Sequence, residues 1–225
     1  MYPISVAIDG PAGAGKSTVA KMVAKRLQFL YVDTGAMYRA VAYLCLRHRV
    51  DAEDAVAVEH LLNTHDVVFA EGTDGGIRVS VDGLEVTKAL RDPDVSSRVS
   101  AVAAHPQVRT RLTEWQRAFA RDHSVVMDGR DIGTVVLPHA TVKVFLTADV
   151  RERARRRQSE YQGRGFEVPF EDIVRAVEER DRRDCERAVA PLVAADDAHR
   201  IDSTSKSIEA VVNEILQLVE NAHVR

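Results

Sequence analysis

Residues 10–17 read Gly-Pro-Ala-Gly-Ala-Gly-Lys-Ser and fill the pattern G-x-x-x-x-G-K-S/T at every fixed position. That spacing carries a definite chemistry. Glycines let the backbone wrap around a phosphate so that several N–H groups point inward, and the helix that follows adds its positive end. The ammonium of Lys16 reaches the β- and γ-phosphates, and the Ser17 hydroxyl is suited to ligate Mg2+. A merely flexible glycine turn needs neither the lysine nor the strand before and helix after, and the sequence supplies all three. Gly10, Pro11, Ala12, Gly13, Ala14, Gly15, Lys16, Ser17 and Thr18 are therefore expected to cradle a nucleoside triphosphate such as ATP, with Ser17 on the metal.

A second group of residues could hold another phosphate. Asp33-Thr-Gly-Ala-Met-Tyr-Arg39 follows a short strand candidate, and Asp128-Gly-Arg-Asp-Ile-Gly133 follows another. A lone arginine is ordinarily a solvated cation. Two glycine-flanked arginines, Arg39 and Arg130, both just past strand ends, favour a phosphate clamp. Asp33 and Asp128 could each organise Mg2+ through water or cap a helix, and the residues alone do not choose. Arg180, Asp184 and Arg187 fall at i, i+4, i+7, one face of a helix expected from about 170 to 188. That spacing also suits an ordinary surface ion pair. Arg153, Arg155, Arg156 and Arg157 open the preceding helix, before Gly163-Arg-Gly165. Between Arg151 and Arg187, eleven arginines face ten acidic residues, so the stretch is no nucleic-acid tail. It reads either as a solvated face or as a lid supplying cations to a phosphoryl-transfer transition state.

Composition narrows the choice. The chain has 225 residues, 45% of them apolar, with a net charge of −3 and a pI near 6.2. A dedicated nucleic-acid or membrane-surface binder normally carries a basic excess, which is absent. Six of the 31 basic residues are lysine, leaving 25 arginines; the surplus fits an anionic ligand, but a coding bias toward Arg and Ala is the favoured reading of it as a whole. Cys45 and Cys185 lie far apart without metal-ligand spacing, and residues 1–10 lack a basic segment or long apolar run, so a reducing, cytoplasmic setting is expected. No Asn-Lys-x-Asp guanine motif is present, and a large mechanical ATPase needs more chain. Small-molecule kinases remain, with an NTP-dependent binding switch as the rival from another class.

The elements that must position these groups alternate. Short strands at 4–8, 29–32, 125–127, 142–146 and 199–202 are separated by helical patterns such as Val19, Met22, Val23, Leu27 and Ile208, Val211, Val212, Ile215, Leu218. This predicts an α/β fold with a five-stranded, mostly parallel sheet flanked by helices, with functional groups at the strands' carboxyl ends. The middle departs from the rhythm. Ile77, Val79 and Val81 alternate before Asp82-Gly83, then Leu84 and Val86 follow, a hairpin signal that marks a small antiparallel β insertion. One domain, 1–225, is expected, with an insertion over about 34–110 and a short lid over about 151–167.

The P-loop, Asp-Thr-Gly-Ala-Met-Tyr-Arg, Asp-Gly-Arg-Asp-Ile-Gly-Thr-Val-Val and Glu-Arg-Asp-Arg-Arg-Asp-Cys-Glu-Arg-Ala, in this order and over nearly the whole chain, resemble bacterial cytidylate kinases. The first motif is shared by many families; the other three together are specific. The resemblance implies a nucleoside monophosphate kinase of pyrimidine metabolism that transfers the ATP γ-phosphoryl group to CMP or dCMP with Mg2+. Thr34, where the family more often has Ser, would lie beside the acceptor. Arg39 and Arg130 would hold its phosphate. Ser100, Arg109 and Asp131 match base-recognition positions, Arg180 and Asp184 match positions near the ribose, and Arg187 one near the acceptor. Lys16, Arg130, Arg153 and Arg157 would stabilise the transferring phosphoryl. Related kinases specific for UMP or another monophosphate are the nearest alternative. The expected partners are small nucleotides alone, with no nucleic acid and no membrane, and the expected state is a monomer.

Overall fold

The computed structural model describes residues 3–73, 75–163 and 165–223. Five strands form the central sheet: β1 (Ser5–Asp9), β2 (Leu30–Asp33), β6 (Val125–Gly129), β7 (Val142–Thr147) and β8 (His199–Asp202), in the order β2-β6-β1-β7-β8. β1 pairs with β7 in parallel, Ile8 opposite Val144, and β7 pairs with β8 in parallel, Leu146 opposite Ile201. Val6, Ala7, Ile8, Val125, Val126 and Met127 are wholly buried, as strands covered on both faces require. The expected strand over 29–32 begins one residue later. α1 (Lys16–Leu27) ends with Gln28 in the left-handed region at φ 58°, and this turn delays the extended chain to Leu30.

The chain divides into two compact units, residues 3–4 with 24–127 and residues 5–23 with 128–223. In the first, Asp33 caps α2 (Thr34–His48) by accepting a hydrogen bond from the Ala36 N–H, and Arg49 closes that helix in the left-handed conformation. α3 (Ala55–Thr64) leads to a three-stranded antiparallel sheet of β3 (Val67–Glu71), β4 (Ile77–Val81) and β5 (Leu84–Glu85), in sequence order. Asp82 and Gly83 have φ of 50° and 77°, the doubly left-handed turn that the dipeptide predicts. Prolines stand in the first turns of both α4 (Pro93–Val102) and α5 (Pro106–Asp122), where a missing N–H costs nothing. α2 packs on α4 and supplies Met37, Val41, Leu44 and Cys45 to the core.

In the second unit, β6 runs into a single π-helical turn at Ile132–Val136, a geometry often found at functional sites. α6 (Val150–Gln162) and α7 (Phe170–Glu186) close on a small core of Ala154, Ile173, Val174 and Val177. α7 ends two residues before the expected boundary. Arg187 has already left the helix with ψ 137°, so the three residues expected on one helical face are two on the helix and one on the extended chain behind it. α8 (Ile208–His223) buries Val211, Val212, Ile215 and Val219; Ile208 instead lies half exposed at the helix start. Among the described residues, no helix is long and apolar enough to cross a membrane.

Candidate active site

The loop between β1 and α1 has the contour that a phosphate cradle needs. Gly10 sits at φ 148°, and a Cβ there would fall 1.9 Å from the Leu146 carbonyl oxygen, so only glycine fits. Gly13 has φ 78°, and its Cβ would press the Arg153 side chain at 3.1 Å. The helix begins at Lys16, so its first N–H groups open toward the loop. Lys16 is buried and donates to the Pro11 carbonyl at 2.7 Å. Burial pushes its ammonium well below the usual lysine range, with Arg130 and Arg180 adding repulsion that Asp128 and Asp9 only partly offset. Ser17 donates its hydroxyl to Asp128 Oδ2 at 2.8 Å. The two acids left open by the sequence thus have different roles: Asp33 is a helix cap, and Asp128 holds the P-loop serine.

Two oxygen donors side by side, one hydroxyl and one carboxylate, fit a hard cation. Among the described residues, no group of three or more His, Cys, Asp or Glu could hold a metal by itself. A magnesium ion here would therefore rest on Ser17, Asp128 and the phosphates it accompanies.

The arginines of α6 brace the same loop. Arg153, buried, donates to the carbonyls of Ala12 at 3.0 Å and Ala148 at 2.9 Å, and pairs with Asp181 at 2.7 Å. Arg156 donates to the Ser203 carbonyl at 2.8 Å and to its hydroxyl at 3.1 Å, and that hydroxyl lies 3.1 Å from the Ala14 carbonyl. Arg157 instead donates to the Tyr161 hydroxyl at 3.1 Å and lies over its ring. Arg164, within the expected lid, lies outside the described residues.

At the end of β6, Arg130 donates to Asp184 at 2.7 Å, while Arg187 reaches Asp131 at 3.4 Å. Burial pushes the Asp184 carboxyl up, but Arg130, Arg180 and Arg187 outweigh it and the net shift is downward. Asp131, Asp128 and Asp184 are all buried. The structure therefore brings together Lys16, Ser17, Arg130, Asp131, Arg180, Asp184 and Arg187 within the second unit. Thr34, Arg39, Ser100 and Arg109 belong to the first unit. There Arg39 pairs with Asp33 at 2.8 Å and keeps its Nε buried without a hydrogen-bond partner. Arg109 is buried, lies over the Tyr38 ring and donates to the Ala103 carbonyl. Thr34 is buried and Ser100 half-buried.

The model of the cytidylate kinase family matches residues 6–221. The chain belongs to the cytidylate kinase family. A cytidylate kinase of Pediococcus pentosaceus is 49% identical over 220 residues, covering 98% of this chain and 97% of the relative. One from a Geobacillus species is 51% identical over 217 residues, 96% of each chain, and one from Pelotomaculum thermopropionicum is 52% identical over 215 residues, 96% of this chain and 95% of its own. An uncharacterized protein from Eubacterium ventriosum superposes with a TM-score of 0.53 at 14% identity, covering 97% of this chain and 98% of its own, a likeness of fold alone.

In this cytidylate kinase family member, three supporting residues had little signal in the sequence. Asp9 ends β1 just before the P-loop, Asp181 sits unremarked within an Arg-rich helix, and Ser203 is one of many serines after a strand. A polar residue directly at a strand's carboxyl end was the available clue for Asp9 and Ser203.

Proposed function

We propose that the protein is a (d)CMP kinase that transfers the γ-phosphoryl group of MgATP to the monophosphate oxygen of CMP or dCMP, giving ADP and CDP or dCDP. The observation that carries this reading is the cation cluster at the strand ends. Burial first depresses the Lys16 ammonium, and Arg130 and Arg180 add a repulsion that a polyanionic ligand relieves. Magnesium held by Ser17, Asp128 and phosphate oxygens supplies charge neutralisation when bound. The protein's own part is positioning. A dianionic acceptor phosphate is already a competent nucleophile, so the chain aligns it in line and stabilises the spreading charge with Lys16 and Arg130. Arg39, with an unmet donor, is suited to the acceptor phosphate.

The base-reading set of Ser100, Arg109 and Asp131 fits cytosine. A carboxylate at Asp131 accepts from the N4 amino group, and the Arg109 guanidinium donates to N3 and O2. Uracil would set its O4 acceptor against the carboxylate and its N3–H against the guanidinium, each a buried mismatch costing about 1–3 kcal/mol. Arg153 and Arg157 enter as lid residues, with Arg153 acting on the triphosphate through the loop it braces. The protein is read as a cytoplasmic monomer; two free cysteines fit a reducing compartment, and a near-neutral charge disfavours a nucleic-acid or membrane partner.

The test is an assay of ADP release with MgATP and each of CMP, dCMP, UMP, AMP and dTMP as acceptor. Turnover with CMP and dCMP well above the others is expected. A preference for another monophosphate would keep the kinase chemistry and discard the base assignment. Turnover independent of any acceptor would leave an ATPase or switch.

A further inference from the structure

The π-helical turn that carries the base-reading acid is capped by a residue from the far end of the chain. Asp131 occupies the N-cap position of Ile132–Val136, yet its side chain makes no cap hydrogen bond. The cap comes from Asp9, at the end of β1. Its Oδ1 accepts from the Ile132 N–H at 2.8 Å and its Oδ2 from the Gly133 N–H at 2.7 Å. Both amides and the carboxylate are buried. Each oxygen serves one orphan donor at the start of the turn, and a carboxylate is the one acidic group able to accept twice in this geometry. Because Asp9 caps the turn, the Asp131 carboxylate is directed away from its own helix start and toward Arg187.

We infer that Asp9 is a positioning residue: it fixes the Arg130–Asp131 corner to the strand that launches the P-loop, and so sets the discrimination between cytosine and uracil. The inference rests on the (d)CMP kinase reading. Asp9 touches no reacting atom and acts through Asp131. The fit is close, since a Cβ at Gly133 would lie 3.4 Å from Asp9 Oδ2 and 3.2 Å from Lys143 Cδ. An Asp9→Asn side chain retains the shape and loses one acceptor, turning an N–H₂ donor toward a backbone N–H.

Steady-state kinetics on Asp9→Asn test this. The expected result is a fall in kcat/KM for CMP of about tenfold or more, with KM for ATP within about twofold of wild type and a reduced CMP:UMP ratio of kcat/KM. A double-mutant cycle separates action through Asp131 from general loosening: in an Asp131→Asn background, Asp9→Asn should leave the CMP:UMP ratio unchanged. An unchanged ratio in Asp9→Asn alone, the same fall of the ratio in both backgrounds, or KM values for ATP and CMP rising together would overturn the inference. Should Asp9→Asn fail to fold by circular dichroism, Gly133→Ala strains the same seam with the carboxylate retained. Its CMP:UMP ratio should then fall as well, and an unchanged ratio would overturn the inference. The wild-type ratio is measured first. Loss of cytosine preference there refutes the base assignment, and the split between the two KM values, taken with the best monophosphate, then decides the role of Asp9.

Discussion

On α7, Asp184 meets Arg130 at 2.7 Å with side chains 9% and 18% exposed, while Glu179, on the same helix, meets Arg182 at 2.9 Å with side chains 40% and 56% exposed. Residue types and distances are nearly the same. The inner pair shares a partly buried cluster with Lys16, Arg180 and Arg187, whose charges act on one another with less intervening water. The outer pair belongs to a string of Arg182, Arg183, Glu179 and Glu186 open to solvent, where screening leaves each contact little net effect. An arginine-rich helix can therefore join a largely buried charge cluster on one face and carry only solvated pairs on the other. Depth, not composition or spacing, separates them.

The largest effect expected from the inner cluster is on turnover. Lys16→Ala removes the buried ammonium proposed to meet the transferring phosphoryl, so kcat should fall by about three orders of magnitude while CMP affinity stays near wild type. Measured by calorimetric CMP binding and initial rates, a variant within about tenfold of wild-type turnover would remove Lys16 from the mechanism.

Asp184→Ala addresses the pair itself. It leaves the partly buried Arg130 beside Lys16 and Arg180 without its carboxylate, and removing one partner of a largely buried pair costs up to about 3 kcal/mol. A lowered urea midpoint at constant m-value is the expected result. Its pH signature runs opposite to that of Asp9. Asp184 titrates below its ordinary range, so its contribution is present at neutral pH and lost as pH falls below about 4. Asp9 is raised to about 6, by burial first and by Asp131, against two amide hydrogen bonds and Lys16. The native state then holds that proton more tightly than the unfolded chain. Stability should fall as pH rises from about 4 to 6 and level off above it, by about 3 kcal/mol for that one group. Asp9→Asn should flatten this limb; a wild-type profile without it would return Asp9 to an ordinary carboxylate. An acid kept charged at such a cost at neutral pH is typical of a site shaped for binding rather than for stability.

Asp131→Ala should narrow the CMP preference over UMP by about tenfold or more, because the uracil O4 no longer faces a carboxylate. Rates with CMP should fall and rates with UMP should hold. Equal loss with both would reduce Asp131 to a structural role through Arg187.

Much of this was legible in residue order. The P-loop pattern, the Asp82-Gly83 turn and the alternation of strands with helices all depend on local backbone physics, which short windows of sequence record. Arg39 and Arg130 stand out in the sequence as clamp candidates because glycines and strand ends lie near them. What was not legible is pairing across long separations. Nothing in Asp9 announces that it caps a turn 123 residues away, and nothing near Ala12 announces Arg153. The boundary at Arg187 was missed because helical spacing continues through it while the backbone does not.

The outer face of α7 supplies the smallest expected effect and the sharpest control. Glu179 accepts from both Arg182 and Arg183, and those hydrogen bonds hold its carboxyl down at about 2. So low a value resembles the signature of a functional acid, and in a buried group it would carry weight. Here the side chain is open to solvent, 40% exposed, and water competes for every contact. Glu179→Gln should leave the unfolding midpoint and kcat/KM for both substrates indistinguishable from wild type, at low salt and at physiological salt alike. A measurable loss of activity would mean that the outer string reaches the reaction centre, and depth would no longer separate the two faces of the helix.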